Sequence, residues 1–122
     1  MAIRKKCIYL LEDNDDIREM LIYLLAEENY EVSAYPTVKT FNEVMKKGKP
    51  DVIVLDIMLT DGNGIDVYNR LKSNAITNHI PILMMSANAQ FYADKIENNA
   101  INFISKPFDI DDFIKRIDGI VN

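Results

Sequence analysis

The chain has 122 residues, of which 48% are hydrophobic and 27% are charged, so it fits one globular domain with one packed core. Its net charge of −5 argues against a non-specific nucleic-acid binder, because such proteins carry a basic patch. No apolar run reaches the roughly 18 residues that a transmembrane helix needs, so we expect no association with a membrane.

The amino-terminal segment and the cysteine content indicate a cytoplasmic protein. The short apolar run after the basic N-terminus stops at two acids, and no small-residue cleavage site follows, unlike in a signal peptide. The single cysteine, Cys7, cannot form an internal disulfide and suits a reducing compartment. Cys7 lies inside an apolar run, so we expect it to pack in the core rather than to bind a metal.

Short apolar runs alternate with longer amphipathic segments along the chain. Apolar runs predict strands, and hydrophobic residues at helical spacing predict helices. In chain order the sequence predicts a strand at 7–11, a helix at 15–28, a strand at 30–35, a helix at 38–47, a strand at 52–55, a loop at 60–64, a helix at 65–72, a strand at 82–85, a helix at 91–98, a strand at 102–105 and a helix at 110–121. No repeat, linker or low-complexity stretch interrupts this pattern, so we expect residues 1–122 to form one domain.

The pattern predicts an α/β fold, a doubly wound five-stranded parallel sheet with helices on both faces. Strands that are apolar throughout are covered on both sides, which is typical of parallel sheets. In the flavodoxin-like order 2-1-3-4-5, the third strand lies beside the first, and the fourth and fifth follow. Ligands of such sheets bind outside the carboxyl ends of the strands, so the candidate site consists of the residues found there.

Charged and polar residues follow four of the predicted strands. They are Glu12 and Asp13 after the first strand, Asp56 after the third, Ser86 after the fourth and Lys106 after the fifth. Two carboxylates about 4 Å apart repel by roughly 4 kcal/mol at an effective dielectric near 20, so carboxylates that share a pocket need a cation to stay ionised. Oxygen ligands without His or Cys suit Mg²⁺. Together with an ammonium and a hydroxyl, they predict transfer of a phosphoryl group to the carboxylate of Asp56.

Each of these residues also has a simpler interpretation. Either Asp13 or Asp15 could cap the helix that follows it. Ser86 could be a turn or cap residue, and Lys106 could be a solvated surface charge. Asp56 is harder to explain in this way, because apolar runs flank it on both sides and a charge without a partner is unfavourable there.

Four segments of the chain are similar to response-regulator receiver domains, the phosphoacceptor modules of two-component signalling. They are 9–15 (YLLEDND), 51–66 (DVIVLDIMLTDGNGID), 81–87 (PILMMSA) and 102–108 (NFISKPF). They match in order and spacing, and the resemblance covers essentially the whole chain. The final predicted helix runs nearly to the C-terminus without a linker, from which we expect a stand-alone receiver.

The resemblance implies a role for the residues of the predicted site. Asp56 matches the phosphoacceptor, and Lys106 matches the lysine that contacts the phosphate. Asp13 matches a direct ligand of Mg²⁺, Glu12 a second acid that acts through water, and Met58 a residue whose backbone carbonyl binds the metal. Mg²⁺ is therefore the implied cofactor. The resemblance also implies that the domain is a signalling module and not an enzyme, although it assists its own phosphorylation and dephosphorylation.

The resemblance also implies partners and a conformational switch. A histidine kinase or a phosphotransfer protein supplies the phosphoryl group, and this domain contacts no nucleic acid. The hydroxyl of Ser86 then moves toward the phosphoryl group, and Phe103 swings into the vacated space. The face formed by the fourth helix, the fifth strand and the fifth helix changes shape and controls an unidentified output partner. Phe91 and Tyr92 are candidates for this face, although the packing of one of them inward is the simpler interpretation.

Three positions depart from the commonest pattern of the family. Thr60 stands where Pro is common, so we expect a less rigid loop after the phosphoacceptor. Asn99 stands where Gly is common, and Asn tolerates left-handed dihedral angles. Phe103 replaces Tyr and cannot donate a hydroxyl hydrogen bond. The step from Lys106 to Pro107 matches one whose peptide bond is typically cis.

Three other functions fit parts of the pattern. A Mg²⁺-dependent phosphohydrolase of the aspartyl-phosphate type needs a second Asp two residues after the nucleophile, where this chain has Met58. It also needs a cap insertion, for which 122 residues leave little room. A flavodoxin-type FMN carrier needs a Ser/Thr/Gly-rich phosphate loop after the first strand, where this chain has the acidic segment 12–16. A phosphate-independent binding module has no need of the complete acceptor set.

Overall fold

Seven strands and four helices make up residues 4–87 and 102–121, the parts of the chain that this computed structural model describes. In chain order they are β1 (Cys7–Leu11), α1 (Asp15–Glu27), β2 (Glu31–Tyr35), α2 (Val38–Met45), β3 (Val52–Asp56), β4 (Met58–Leu59), β5 (Gly62–Asn63), α3 (Gly64–Ser73), β6 (Ile82–Ser86), β7 (Asn102–Ser105) and α4 (Ile110–Val121). The helix predicted at 91–98 lies outside the described residues, as do Phe91, Tyr92 and Asn99.

Five of the strands form one parallel sheet in the order β2-β1-β3-β6-β7. The order confirms the doubly wound arrangement that the sequence predicts. In the register of the sheet, Leu11 lies beside Leu55, and Asp56 lies beside Met85. The carboxyl ends of β1, β3, β6 and β7 therefore meet at one edge, where ligands of such sheets bind.

The alternation of side chains along the strands sorts the core into two layers. Val52 and Val54 of β3 face one layer, which also contains buried residues of α1 and α4. Ile53 and Leu55 face the opposite layer, which contains buried residues of α2 and α3. Every residue of β3 and β6 is buried, which explains why both strands are apolar up to their last residues, Asp56 and Ser86.

Polar side chains cap the starts of three helices. Asn14 accepts a hydrogen bond from the amide of Ile17 at 2.9 Å and so caps α1. Thr37 caps α2, and Asn63 caps α3. The alternative interpretation in which Asp13 or Asp15 caps the first helix is therefore wrong, because Asn14 between them has that role.

The segment 60–64 differs from the predicted loop. Met58–Leu59 and Gly62–Asn63 pair as a short antiparallel hairpin, and α3 begins at Gly64. Strands of two residues are too short for side-chain alternation to show in the sequence.

Two further features bear on the predictions. The peptide bond between Lys106 and Pro107 is cis, as the family resemblance implies. None of the helices in the described residues has the length and apolarity needed to cross a membrane.

A substitution of Phe113 tests how much the packing of α4 on the sheet stabilises the fold. Phe113 is fully buried, and its ring stacks on that of Phe108 with 5.0 Å between centroids. We expect Phe113→Ala to lower the free energy of unfolding by about 3–5 kcal/mol, because it removes buried apolar surface and leaves a cavity. Urea unfolding followed by circular dichroism measures this change.

Ile110→Ala on the same helix is the matched control for Phe113→Ala. Ile110 is 45% exposed, so its loss should change the free energy of unfolding by only about 0.5 kcal/mol. Equal effects of the two substitutions would contradict the burial of Phe113 in the core.

Candidate functional site

Three carboxylates meet where β1 and β3 end. Glu12 and Asp13 follow β1, and Asp56 is the last residue of β3. One carboxylate oxygen from each residue lies within 4.8 Å of the other two. Glu12 is fully buried, Asp56 is 5% exposed and Asp13 is half-buried. The meeting follows from the sheet order, because β1 and β3 are hydrogen-bonded neighbours in the sheet although they are far apart in the sequence. Cys7 at the start of β1, for example, donates its amide to the carboxylate of Asp51, which is 44 residues away and directly precedes β3.

Lys106 connects two of the three carboxylates. Its ammonium donates to Oε1 of Glu12 at 2.6 Å and lies 3.2 Å from Oδ2 of Asp56. The side chain of Lys106 is only 19% exposed. The interpretation of this lysine as a solvated surface charge therefore does not fit its contacts.

Burial and neighbouring charges shift the protonation of this cluster. Burial raises the pKa of Glu12, and the nearby Asp56 raises it further, while the hydrogen bond from Lys106 opposes the shift. For Lys106, burial disfavours the ammonium, but the hydrogen bond to Glu12 and the charge of Asp56 outweigh burial and raise its pKa. Lys106 is therefore protonated at neutral pH. The carboxylates still outnumber this ammonium, so the cluster favours a further cation.

The donor set of the cluster fits a hard divalent cation. All three groups offer carboxylate oxygens, which Mg²⁺ prefers. The one histidine of the chain, His79, lies in an exposed loop, and the one cysteine, Cys7, is at the opposite end of β1. Neither joins the cluster, so a site for a softer transition metal is not indicated.

Ser86, Met58 and Phe103, the remaining predicted site residues, have different settings. Ser86 ends β6 and is buried, and its carbonyl accepts a hydrogen bond from the amide of Lys106 at 2.9 Å. Met58 is in the short strand β4, and its side chain is exposed. Phe103 is half-buried in β7, beside Met84 in the register, and packs against the layer that contains α2 and α3.

Arg18 and Gly64 support the site, although sequence reasoning did not identify either. Arg18 donates to the carbonyl of Glu12 at 3.1 Å and to the carboxylate of Asp15 at 2.5 Å. The only sequence signal for Arg18 is its helical spacing from Asp15. Gly64 packs so closely on the backbone of Asp56 that a Cβ atom would collide with the carbonyl oxygen. The composition of the segment 60–64 indicates a turn, but the close approach of Gly64 to the backbone of Asp56 is visible only in the folded structure.

The chain is similar to proteins of known family. Residues 8–118 match the family model described as the response regulator receiver domain. The phosphate regulon transcriptional regulatory protein PhoB of Pseudomonas aeruginosa is 31% identical over 118 residues, with 95% of this chain and 52% of the relative covered. The chain thus spans about half the length of this curated relative.

Two solved structures share the fold. Response regulator TrrA from Thermotoga maritima, in complex with Mg²⁺–BeF, has a TM-score of 0.84 at 22% identity, covering 94% of this chain and 98% of that one. The receiver domain of a sensor histidine kinase from Pseudomonas aeruginosa, with a magnesium ion coordinated in its active-site cleft, has a TM-score of 0.84 at 18% identity. Coverage in the second case is 97% of this chain and 98% of the other.

Removal of Lys106 tests the electrostatics of the cluster. We expect Lys106→Met to lower the free energy of unfolding of the metal-free protein by on the order of 3 kcal/mol, because it leaves Glu12 and Asp56 buried without a cation. Mg²⁺ should stabilise this variant more than the wild type, because the ion no longer competes with an ammonium. Urea unfolding in chelator and in excess Mg²⁺ measures both effects.

Lys115→Met is the matched control for this electrostatic test. Lys115 is an exposed lysine on α4, so its loss should leave the free energy of unfolding nearly unchanged. If Lys106→Met were as mild as this control, the proposed balance of charges in the cluster would be wrong.

Proposed function

This chain belongs to the response regulator receiver domain family, the signalling domains of two-component systems, and we propose that it accepts a phosphoryl group on Asp56. The resemblance seen in its sequence is thereby confirmed at the level of the family. The observation that carries the proposal is the position of Asp56, buried at the end of β3 beside two further carboxylates and the ammonium of Lys106. We propose a histidine kinase or a phosphotransfer protein as the donor.

Asp56 is the nucleophile of the proposed transfer. One of its carboxylate oxygens forms a bond to phosphorus as the bond from phosphorus to the donor's histidine nitrogen breaks. The products are an aspartyl phosphate and a neutral histidine, whose released nitrogen takes up a proton if the other ring nitrogen carries none. Lys106, already 3.2 Å from Oδ2 of Asp56, is placed to donate to a phosphoryl oxygen. Its charge favours the transfer because phosphoryl transfer depends mostly on positioning and charge stabilisation.

The metal-binding role falls to the acidic cluster. We propose that Glu12, Asp13 and Asp56, together with the backbone carbonyl of Met58, hold Mg²⁺. When bound, the ion would neutralise charge on the carboxylates and on the phosphoryl oxygens. The oxygen-only donor set supports this assignment.

Ser86 and Phe103 carry the proposed switch. The hydroxyl of Ser86 moves to donate to a phosphoryl oxygen, and Phe103 turns into the space that it leaves. Reversal of a two-state equilibrium from 1:99 to 99:1 needs about 5.5 kcal/mol of differential interaction. Hydrogen bonds to a charged group contribute roughly 1.5–3 kcal/mol each, so those of Ser86 and Lys106 supply much of that requirement.

The remaining parts of the proposal concern the setting of the domain. Residues 1–122 form one receiver domain in the cytoplasm, and the domain contacts neither nucleic acid nor membrane. The output partner binds a face that includes β7 and α4. The predicted helix at 91–98, which the family resemblance assigns to the same face, lies outside the described residues. The domain catalyses only its own phosphorylation and dephosphorylation. A phosphohydrolase is disfavoured because Met58 offers no side-chain acid where such enzymes carry one.

Acetyl phosphate provides a direct test of Asp56 as the acceptor. Intact-mass measurement after incubation with acetyl phosphate and Mg²⁺ should show a labile phosphoryl adduct on the wild type and none on Asp56→Asn, because an amide lacks the anionic nucleophile. Asp66→Asn, at an exposed position of α3, should retain the adduct. A wild type that binds Mg²⁺ but forms no labile adduct would count heavily against the proposed function.

Ser86→Ala tests whether phosphorylation and the switch are separable. We expect this variant to form the adduct but to lose most of the chemical-shift changes that phosphorylation causes in β7 and α4. The chain has no tryptophan, so ¹⁵N-resolved NMR is the suitable readout. Ser105→Ala changes an exposed serine that lies opposite Ser86 in the register and should behave like the wild type. An intact conformational change in Ser86→Ala at equal phosphorylation would refute the coupling.

A further inference from the structure

The hairpin that follows Asp56 is fastened to the start of α2 by Asp61. Oδ1 of Asp61 accepts a hydrogen bond from the amide of Val38 at 2.9 Å, and Oδ2 accepts one from the amide of Lys39 at 3.2 Å. Amides in the first turn of a helix have no acceptor within the helix, so the carboxylate satisfies donors that otherwise need water. The contact joins two segments that are 22 to 23 residues apart in the chain.

The helix has a cap of its own besides Asp61. The side chain of Thr37 accepts a hydrogen bond from the amide of Thr40 at 3.1 Å, which is the usual arrangement at a helix start. Asp61 thus adds a second attachment, and this one comes from the loop of the candidate site. Asp61 is exposed and its bonds compete with water, but the helix dipole favours an anion at this end. The bonds to Val38 and Lys39 also lower the pKa of Asp61, so it stays ionised at neutral pH.

The hairpin has a short backbone ladder, and Leu59 packs against the layer that contains α2 and α3. Met58 pairs with Asn63, and Leu59 pairs with Gly62, so its ladder is only two residues long on each side. Such a short ladder is marginal without other contacts. At its base, the amide of Gly64 donates to the carbonyl of Ile57 at 2.8 Å.

Near the tip, the hairpin lies directly against α2. A Cβ atom at Gly62 would be 3.0 Å from Cγ2 of Val38, so this glycine permits the close approach. Thr60 lacks the restricted backbone that proline provides at this position in many family members. The two hydrogen bonds of Asp61 therefore supply a constraint that the sequence around Thr60 does not.

We propose that Asp61 is a positioning residue for the metal site. By fixing the hairpin against α2, it holds the carbonyl of Met58 where that oxygen serves as a ligand of Mg²⁺. A ligand that is held in place before binding loses less conformational freedom on binding. This inference rests on the proposed function, in which Met58 contributes its carbonyl.

Hydrogen exchange of the metal-free protein tests the attachment by itself. In Asp61→Ala, the amides of Val38 and Lys39 and those of the hairpin at 58–63 should exchange faster than in the wild type. In Asp61→Asn, the single remaining oxygen acceptor should give an intermediate rate. Unchanged exchange in Asp61→Ala would show that the hydrogen bonds do not hold the hairpin and would overturn the proposal.

Calorimetric titration with Mg²⁺ tests the consequence for the site. We expect Asp61→Ala to weaken Mg²⁺ binding by about tenfold, as loss of an outer contact of a metal ligand does. The initial rate of adduct formation with acetyl phosphate should fall at low Mg²⁺ and recover at saturating Mg²⁺, because Asp61 acts only through the metal ligand.

Thr37→Ala is the matched control for both experiments. It removes the other cap of α2 but leaves the hydrogen bonds of Asp61 in place, so Mg²⁺ binding should stay within twofold of the wild type. If Thr37→Ala weakened binding as much as Asp61→Ala, helix stability rather than hairpin position would be the cause, and the proposal would be wrong.

The titration also separates the positioning role of Asp61 from the proposed metal site. Wild-type binding of Mg²⁺ with an unaffected Asp61→Ala variant overturns the positioning role alone. A wild type that binds no Mg²⁺ overturns the metal site of the proposed function, and the positioning role with it.

Discussion

The contacts of Lys106 with Glu12 and Asp56 are the interaction on which the candidate site depends. Parallel pairing of β1 with β3 brings buried carboxylates together at the end of the sheet, where water screens them little. The ammonium of Lys106 offsets part of their repulsion and approaches Glu12 more closely than Asp56, at 2.6 Å against 3.2 Å. The carboxylate of Asp56 is therefore held less tightly by this ammonium than the carboxylate of Glu12.

The sheet and its flanking helices could be predicted because each leaves a periodic trace in the sequence. The runs of β3 and β6 are apolar throughout because both faces are covered, and the hydrophobic spacing of α4 follows from its single buried face. The hairpin of β4 and β5 could not be predicted in this way. Strands of two residues leave no period, and Asp61 between them bonds to a helix that begins 23 residues earlier, a contact that the sequence does not reveal.

The sequence allowed us to predict which residues form the candidate site, but not all of the contacts that position them. Glu12, Asp13, Asp56 and Lys106 stand at strand ends, so the sheet order alone brings them together. The sequence could not show that Asn14 caps α1 and leaves Asp13 for the cluster. It also could not show the close contact of Gly64 with the backbone of Asp56, because only the packed structure brings these segments together.

The pleat of the sheet has a consequence for how a signal would travel. Asp56 follows Val52 and Val54 onto the side of α1 and α4, whereas Ser86 follows Met84 onto the side of α2 and α3. A hydrogen bond from Ser86 to a group on Asp56 would therefore link the two layers around the rim of the sheet. A conformational change could thus be transmitted from the layer of α1 and α4 to the layer of α2 and α3 with the pairing of the strands unchanged.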